Sequence, residues 1–391
     1  MVITHAVKVR IYPDKDQVFK IETTLNCCRY VYNHMLARNK KIYDRRGEHL
    51  SYYPMQYKLY EMKSYLPWLK EADSQALAYC LRQLNNAYGK FFKKQTGYPN
   101  FKSKKNPLQS YTTTNMSCFA YEKRKLKLPY LGWIKSSKVR EFPNDAKVCF
   151  CTVSKENGKY YCSVTYKYEK DVVPVPVNES QVIGLDYKSD GLFMDSNGNI
   201  ADMPHFFRNA QKRLRKAQRK LAHMIESHIT GYKTVFGKRH PIYDRPLETC
   251  KRIQKQISKV AKLQKEVANH RSDFLHKKSY EMANTYDAVI IEDLDIKAMS
   301  NKDFGLGKTT MDNSYGKFIK LLSYKLLERG KQLIRVDRFF LSTQQCSNCG
   351  SIKKIPLSQR VYSCACGLTI DRDLNSAINI RNEGLRILAL T

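Results

Sequence analysis

Hydrophobic positions along the first half of the chain fall into blocks of two different periods. Residues 6–12 alternate apolar and polar like a strand, and Pro13-Asp14 ends it. From Asp16 to about Tyr43 the period becomes helical, with Ile21, Leu25, Cys28, Val31 or Tyr32, and Met35 on one face. A second helix is predicted from Asp73, a candidate N-cap, to Phe92, through Leu77, Leu81, Leu84 and Tyr88. A basic loop over residues 93–105, broken by Gly97-Tyr98-Pro99, leads into short strands at 125–128, 148–153 and 160–168. A strand, a helical insertion and more strands predict a β-barrel interrupted by a helical lobe. Val172-Val173-Pro174-Val175-Pro176 is extended by its prolines and marks a domain boundary.

Past the boundary the blocks change order. Val182-Ile183-Gly184-Leu185-Asp186 is a buried-strand pattern, followed by a strand at 192–195, an Asn197-Gly198 turn, and Ile200-Ala201. From Phe206 an amphipathic helix sets Phe207, Ala210, Leu214, Ala217 and Leu221 on one side, and its other side is basic. Residues 224–247 show no period and read as irregular. A long helix follows, with Ile253, Ile257, Val260, Leu263, Val267 and Phe274 at three-and-four spacing. Ala288-Val289-Ile290-Ile291-Glu292 is an apolar strand ending in a carboxylate. A helix over 315–329 stops at Gly330, 332–336 is a strand, and a helix over 373–388 closes the pattern.

Length and charge narrow what these blocks can be. At 391 residues the chain exceeds one ordinary core, so two or three domains are expected. A net charge of +33 calls for a polyanionic partner, and 27 Tyr with 16 Phe offer stacking surfaces for bases beside the cations. The basic face of the 206–221 helix, with Arg208, Lys212, Arg213, Arg215, Lys216, Arg219 and Lys220, is therefore a candidate nucleic-acid surface. No secretory signal or bilayer-length apolar run is evident, which predicts a reducing, cytoplasmic setting and no membrane partner. Eight of the 12 cysteines are scattered and read as buried or idle thiols.

The remaining four cluster. Cys346-Ser347-Asn348-Cys349-Gly350 is a CxxC knuckle, and Cys364-Ala365-Cys366-Gly367 is a CxC knuckle one residue shorter. Four thiolates on two tips predict a closed, structural Zn²⁺ site, with idle thiols as the alternative.

Three acids also stand out. Asp186 and Glu292 each lie on an apolar strand, and a third lies in Asp371-Arg372-Asp373 at the mouth of the last helix. Singly, each has an ordinary reading as a turn, a solvated strand end or a helix cap. Jointly they would repel unless a cation relieved them. Hard Mg²⁺ ions, acting as a pair in such sites, take carboxylate oxygens and hydrolyse phosphodiesters. Strand, hairpin, strand and helix bearing acids at these places is the plan of an α/β RNase H-like nuclease. The residues alone do not separate Asp371 from Asp373.

Taken together, these motifs resemble the TnpB family of transposon-encoded, RNA-guided DNA endonucleases, relatives of type V CRISPR effectors. The likeness rests on Gly184-Leu185-Asp186, RLRKAQRKL at 213–221, NHRSDFLH at 269–276, Ile291-Glu292-Asp293-Leu294, Asp337-Arg338-Phe339-Phe340 before the CSNCG knuckle, and DRDLNSAINI at 371–380. In the first half it rests on Arg29-Tyr30-Val31-Tyr32-Asn33 and the Gly-Tyr-Pro-Asn-Phe-Lys loop. The resemblance implies a wedge β-barrel (residues 1–15 and 108–175) around a helical recognition insertion (16–107). It further implies a RuvC-like nuclease (176–341 and 371–391) split by a zinc ribbon (342–370). It selects Asp186, Glu292 and Asp373 as catalytic, Mg²⁺-holding acids, and Cys346, Cys349, Cys364 and Cys366 as zinc ligands. Implied partners are a guide RNA derived from the transposon end, double- and single-stranded target DNA, and a companion transposase encoded by the same element. Guide pairing would read most of the target, and the protein a short adjacent duplex motif. Ser74, Tyr98, Lys102, Tyr111 and Thr113 are the candidates for that second task. The alternatives are a cleavage-inactive RNA-guided binder and a strand-transfer transposase on the same fold.

Overall fold

A computed structural model of the chain describes residues 1–139, 141–235, 237–301, 307–356 and 358–389. The chain divides into two units, Met1–Asp171 and Val172–Thr391; the last two residues of the expected 371–391 segment lie outside the described ones.

In the first unit, β1 (Val2–Tyr12) runs into α1 (Lys15–Arg46), and α2 (Tyr52–Tyr65), a 3-10 turn and α3 (Ser74–Phe92) follow. A reciprocal capping box of Asp14 and Gln17 starts α1, and the Asp73 carboxylate accepts from the N–H groups of Gln75 and Ala76 to start α3. The strands are β2 (Leu108–Thr113), β3 (Ala120–Glu122), β4 (Lys125–Leu128), β5 (Gly132–Ser136), β6 (Lys147–Glu156) and β7 (Lys159–Glu169). They form one sheet in the order β2-β6-β7-β1-β5-β4-β3.

The β-barrel expected for this region is therefore an open ladder, with no β2–β3 pairing among the described residues. Helical side chains fill the space that barrel closure would enclose. Leu25, Cys28 and Val31 of α1 and Leu77, Leu81 and Leu84 of α3 share one core with Tyr111, Val153 and Val164 of the sheet.

The second unit is built on a five-stranded sheet ordered β10-β9-β8-β13-β14. Here β8 (Val182–Tyr187), β13 (Ala288–Glu292) and β14 (Gln332–Val336) are parallel, while β9 (Phe193–Asp195) and β10 (Ile200–Ala201) return antiparallel. Strand parity sorts the two faces. Ile183, Leu185, Val289 and Ile291 pack with α5 (Lys251–Thr285) and α8 (Tyr315–Leu327), through Leu275, Met282, Phe318 and Leu322. Each such burial contributes about 1.5–3 kcal/mol. Val182, Ala288 and Ile290 face the other way and pack with Ile380 of α9 (Arg372–Ala389). Asp186 and Glu292 have the parity of that second face.

Close approach of α9 to β8 depends on Gly184. A Cβ there would strike the Ala377 carbonyl oxygen and stand 2.6 Å from the Arg381 nitrogen. Gly184→Ala is accordingly expected to destabilise the unit by about 2–4 kcal/mol, read as a lower midpoint in urea.

Between β10 and α5 lie α4 (Phe206–Glu226) and a pair of strands, β11 (Ile229–Val235) and β12 (Lys238–Tyr243). Residues 224–247, read from sequence as irregular, thus contain a β-hairpin. Among the described side chains its strands bury none, and the segment carries no alternating apolar pattern. Short helices α6 (Ile296–Met299) and α7 (Gly307–Asn313) precede α8, and β15 (Val361–Ser363) pairs with β16 (Thr369–Asp371) just before α9. Among the described residues no helix is long and apolar enough to cross a membrane.

Candidate carboxylate centre and cysteine cluster

Parallel pairing of β8 with β13 sets Leu185 beside Ile291, so Asp186 and Glu292 are the next residues along neighbouring strands. The first turn of α9 brings Asp373 to the same place. Asp186 is buried, and its carboxyl is held well above the usual carboxylate range. Burial is the main cause; the negative charges of Glu292 and Asp373 add to it, and a 3.1 Å hydrogen bond from the Ser376 hydroxyl opposes it. Burial also raises Glu292, against a 2.5 Å hydrogen bond from the buried Ser342 hydroxyl. Asp373 is met by cations instead: Arg372 at 3.4 Å, Lys188 at 3.6 Å and Arg360 at 4.0 Å.

The two acids at the helix mouth have different surroundings. Asp371 is exposed, and its carboxylate accepts from the backbone N–H groups of Asp373 and Leu374, the work of a helix cap. Asp373 is buried and electrostatically coupled to Asp186.

The four cysteines converge as well. Their sulfurs all lie within 4.8 Å of one another; Cys346 and Cys366 are 3.7 Å apart, and Cys349 and Cys364 are 3.6 Å apart. A tetrahedral zinc–thiolate site has S···S edges of roughly 3.8 Å, so this donor set fits Zn²⁺. The short CxC knuckle still delivers both sulfurs because Gly367, at φ 91°, turns the chain and donates its N–H to the Cys364 carbonyl. Backbone N–H of Cys366 and the Ser351 hydroxyl pull the Cys364 thiol down to about 6, which favours the thiolate a metal needs. Among the described residues this is the set of His, Cys, Asp and Glu ligand atoms gathered that tightly; the three carboxylates are more widely spaced.

Helix α9 ties both centres together. Asn375 donates to the Gln345 carbonyl at 2.7 Å and accepts from the Ser347 N–H at 3.0 Å, on either side of Cys346. Asn379 donates to the carbonyls of Ser342 and Gln345. Sequence reasoning missed Ser342, Ser376 and Asn379. The one available signal was the Asn375 amide within DRDLN.

The other candidates separate by exposure. Lys212, Arg213, Arg215, Lys216, Arg219 and Lys220 are exposed along α4, as is Arg208, which donates to Thr309. Ser74 is exposed and accepts from Lys63. Lys102 sits 4.4 Å over the Tyr32 ring, and the Tyr98 hydroxyl bonds to that of Tyr88. Tyr111 and Thr113 are buried, out of reach of a nucleic-acid strand in this conformation: Tyr111 packs in the core beneath the helices.

Asp312 was also missed. Its buried carboxylate accepts from the N–H groups of Phe207 and Arg208, capping α4 from outside, and pairs with Arg271 at 2.7 Å. Asp312→Ala would strand the Arg271 guanidinium and is expected to cost about 3–5 kcal/mol, measurable by chemical denaturation.

By fold and site, the second unit is an α/β domain with a buried carboxylate centre and a four-cysteine ribbon of the zinc type inserted before its last helix. Comparison with known proteins narrows this. Residues 315–380 match the "Cas12f1-like, TNB domain" model, 163–303 the OrfB_IS605 model described as "Probable transposase", and 1–48 the "Helix-turn-helix domain" model of the same group. In the present structure residues 1–48 hold a strand and one uninterrupted helix. The chain is 29% identical to a "Putative RNA-guided DNA endonuclease" of Streptomyces pristinaespiralis, over 98% of this chain and 90% of the relative. It is equally identical to the "Putative RNA-guided DNA endonuclease InsQ" of Escherichia coli K12, over 98% and 93%. A Cas12f1–sgRNA–target DNA complex aligns over 97% of this chain and 99% of that one, at 13% identity and a TM-score of 0.46. By family model and by relatives alike, the chain's matches fall in the TnpB/OrfB_IS605 group.

Proposed function

We propose that this chain is an RNA-guided DNA endonuclease whose second unit is an RNase H-like, RuvC-type nuclease. The observation that carries this reading is the meeting of Asp186, Glu292 and Asp373 at two strand ends and a helix mouth, with Asp186 buried among like charges. Three acids so placed make an all-oxygen donor set in which Asp186 still feels the like charges of Glu292 and Asp373, and such a set suits hard divalent cations such as Mg²⁺. When bound there, such ions supply a more acidic water and neutralise charge building on a phosphodiester. The chain's own work is to hold the acids in place. Ser376 fixes the Asp186 carboxylate, Ser342 fixes Glu292, and Lys188 and Arg372 steer Asp373.

In this reading residues 176–341 and 371–391 are the nuclease, 342–370 a structural zinc ribbon, and the first unit a wedge with a helical recognition insertion. The basic face of α4 meets phosphates, and guide pairing supplies sequence specificity. The chain's relatives named as RNA-guided DNA endonucleases support the reading over nearly its whole length.

The test is to purify the protein from its native setting and sequence the RNA that accompanies it. One abundant RNA, with Mg²⁺-dependent cutting of matching DNA, is the expected result. Bound RNA with target binding and no cutting would make it a guided binder. Joined DNA products without RNA would make it a transposase.

A further inference from the structure

The β11–β12 ribbon between α4 and α5 has no part in the carboxylate centre or the zinc ribbon. Its base is closed by a His228–Asp244 clasp: the Asp244 N–H donates to the His228 carbonyl at 2.9 Å, and the imidazole Nδ1 lies 2.9 Å from the Asp244 carboxylate. Beyond that clasp, none of the described side chains in residues 229–243 is buried. A lone two-stranded ribbon is marginal in water and gains most from a partner that covers it.

Its chemistry points to what that partner is. Residues 229–243 hold Lys233, Lys238 and Arg239 and no acid. Pairing sets Thr234 opposite Arg239 and Tyr232 opposite Pro241 on one face, and Lys233 opposite His240 on the other, so both faces carry cations. The Arg239 guanidinium lies 3.9 Å from the centre of the Tyr232 ring, which holds a planar donor group in a defined place. The exposed cations of α4 lead up to the ribbon, so the positive surface is continuous in sequence with it.

We propose that this ribbon binds double-stranded DNA by entering the major groove. The B-DNA major groove, about 12 Å wide, admits a two-stranded β-ribbon, whereas that of A-form RNA is too deep and narrow. A groove has a phosphate wall on each side, which matches cations on both faces of the ribbon. Arg239, pre-set by its ring, is the planar donor that one face offers to a phosphate. The element thus adds protein–duplex contacts that guide pairing does not supply. It rests on the nuclease reading only in taking DNA as the target.

The experiment uses the full chain with its accompanying RNA and a short fluorescent duplex that does not match the guide. Lys233→Ala combined with Arg239→Ala is expected to bind that duplex roughly tenfold more weakly, with a log–log salt slope shallower by roughly two. Lys233→Arg combined with Arg239→Lys is expected to keep the salt slope, which separates charge from fold. Unchanged affinity and slope in the alanine pair would overturn the proposal. So would a loss confined to a single-stranded or stem-loop RNA probe, which would assign the ribbon to RNA. Binding of an unmatched duplex involves no cutting, so this outcome is independent of whether the chain cleaves DNA.

Discussion

Asp186→Asn is expected to abolish DNA cleavage while making the metal-free protein more stable. Loss of one acid from the centre removes several kcal/mol of transition-state stabilisation, a drop of roughly a thousandfold or more in cutting rate. Stability moves the other way. Burial and the charges of Glu292 and Asp373 raise the Asp186 carboxyl well above its usual 3.8, so the fold favours its protonated form. That preference is fully satisfied below the usual value and is lost as pH rises through the raised one. At neutral pH, well above the usual carboxylate value, the wild type therefore bears a cost that asparagine lacks. In chelator-treated samples the variant should melt higher at neutral pH, by about 2–4 °C per kcal/mol gained for a unit of this size. The gap should close on acidification. Equal melting at every pH would mean that Asp186 bears no such burden, and undiminished cutting with RNA bound would remove it from the catalytic set.

The second large effect is expected at the cysteine cluster. Within residues 342–371 few described side chains are buried (Ser342, Cys346 and Tyr362), so the ribbon has little core of its own. Bound zinc then provides most of its folding energy, about 10–16 kcal/mol in small zinc modules. Cys346→Ser should reduce zinc from about one per chain to a small fraction, read by elemental analysis. It should also remove hydrogen-exchange protection from β15 and β16. Because Asn375 and Asn379 fasten α9 to this segment, and Ser342 within it holds Glu292, cutting should fall too. Full zinc content in the variant would contradict the four-sulfur site.

Much of the second unit was legible because its signals are local. Apolar runs ending in an acid at Asp186 and Glu292, and the two Cys-Gly knuckles, announce themselves without any partner. The helix from Asp73 to Phe92 carried both its cap and its period. What failed to show depends on distant neighbours. Ser342 and Ser376 are ordinary residues until the fold sets them against Glu292 and Asp186. Tyr111 reads as a surface aromatic in a basic stretch, but α1 and α3 cover it. Asp371 and Asp373 could be told apart by residues alone only through resemblance; the hydrogen bonds separate their surroundings. The open sheet could not be read from strand spacing, because closure is a matter of which edges meet. Helix α2 was overlooked although Met55, Leu59 and Met62 keep helical spacing, since exposed tyrosines crowd the same segment.

In the function proposed, RNA tells this protein where to cut. The most direct test is to rewrite the guide segment of the accompanying RNA, reassemble it with the protein, and map cuts on DNA carrying the original and the new sequence. The expected result is Mg²⁺-dependent cutting that moves to the new sequence and is absent from Asp186→Asn. Cuts that stay at the original sequence, or no cuts at either despite bound RNA, would contradict the account.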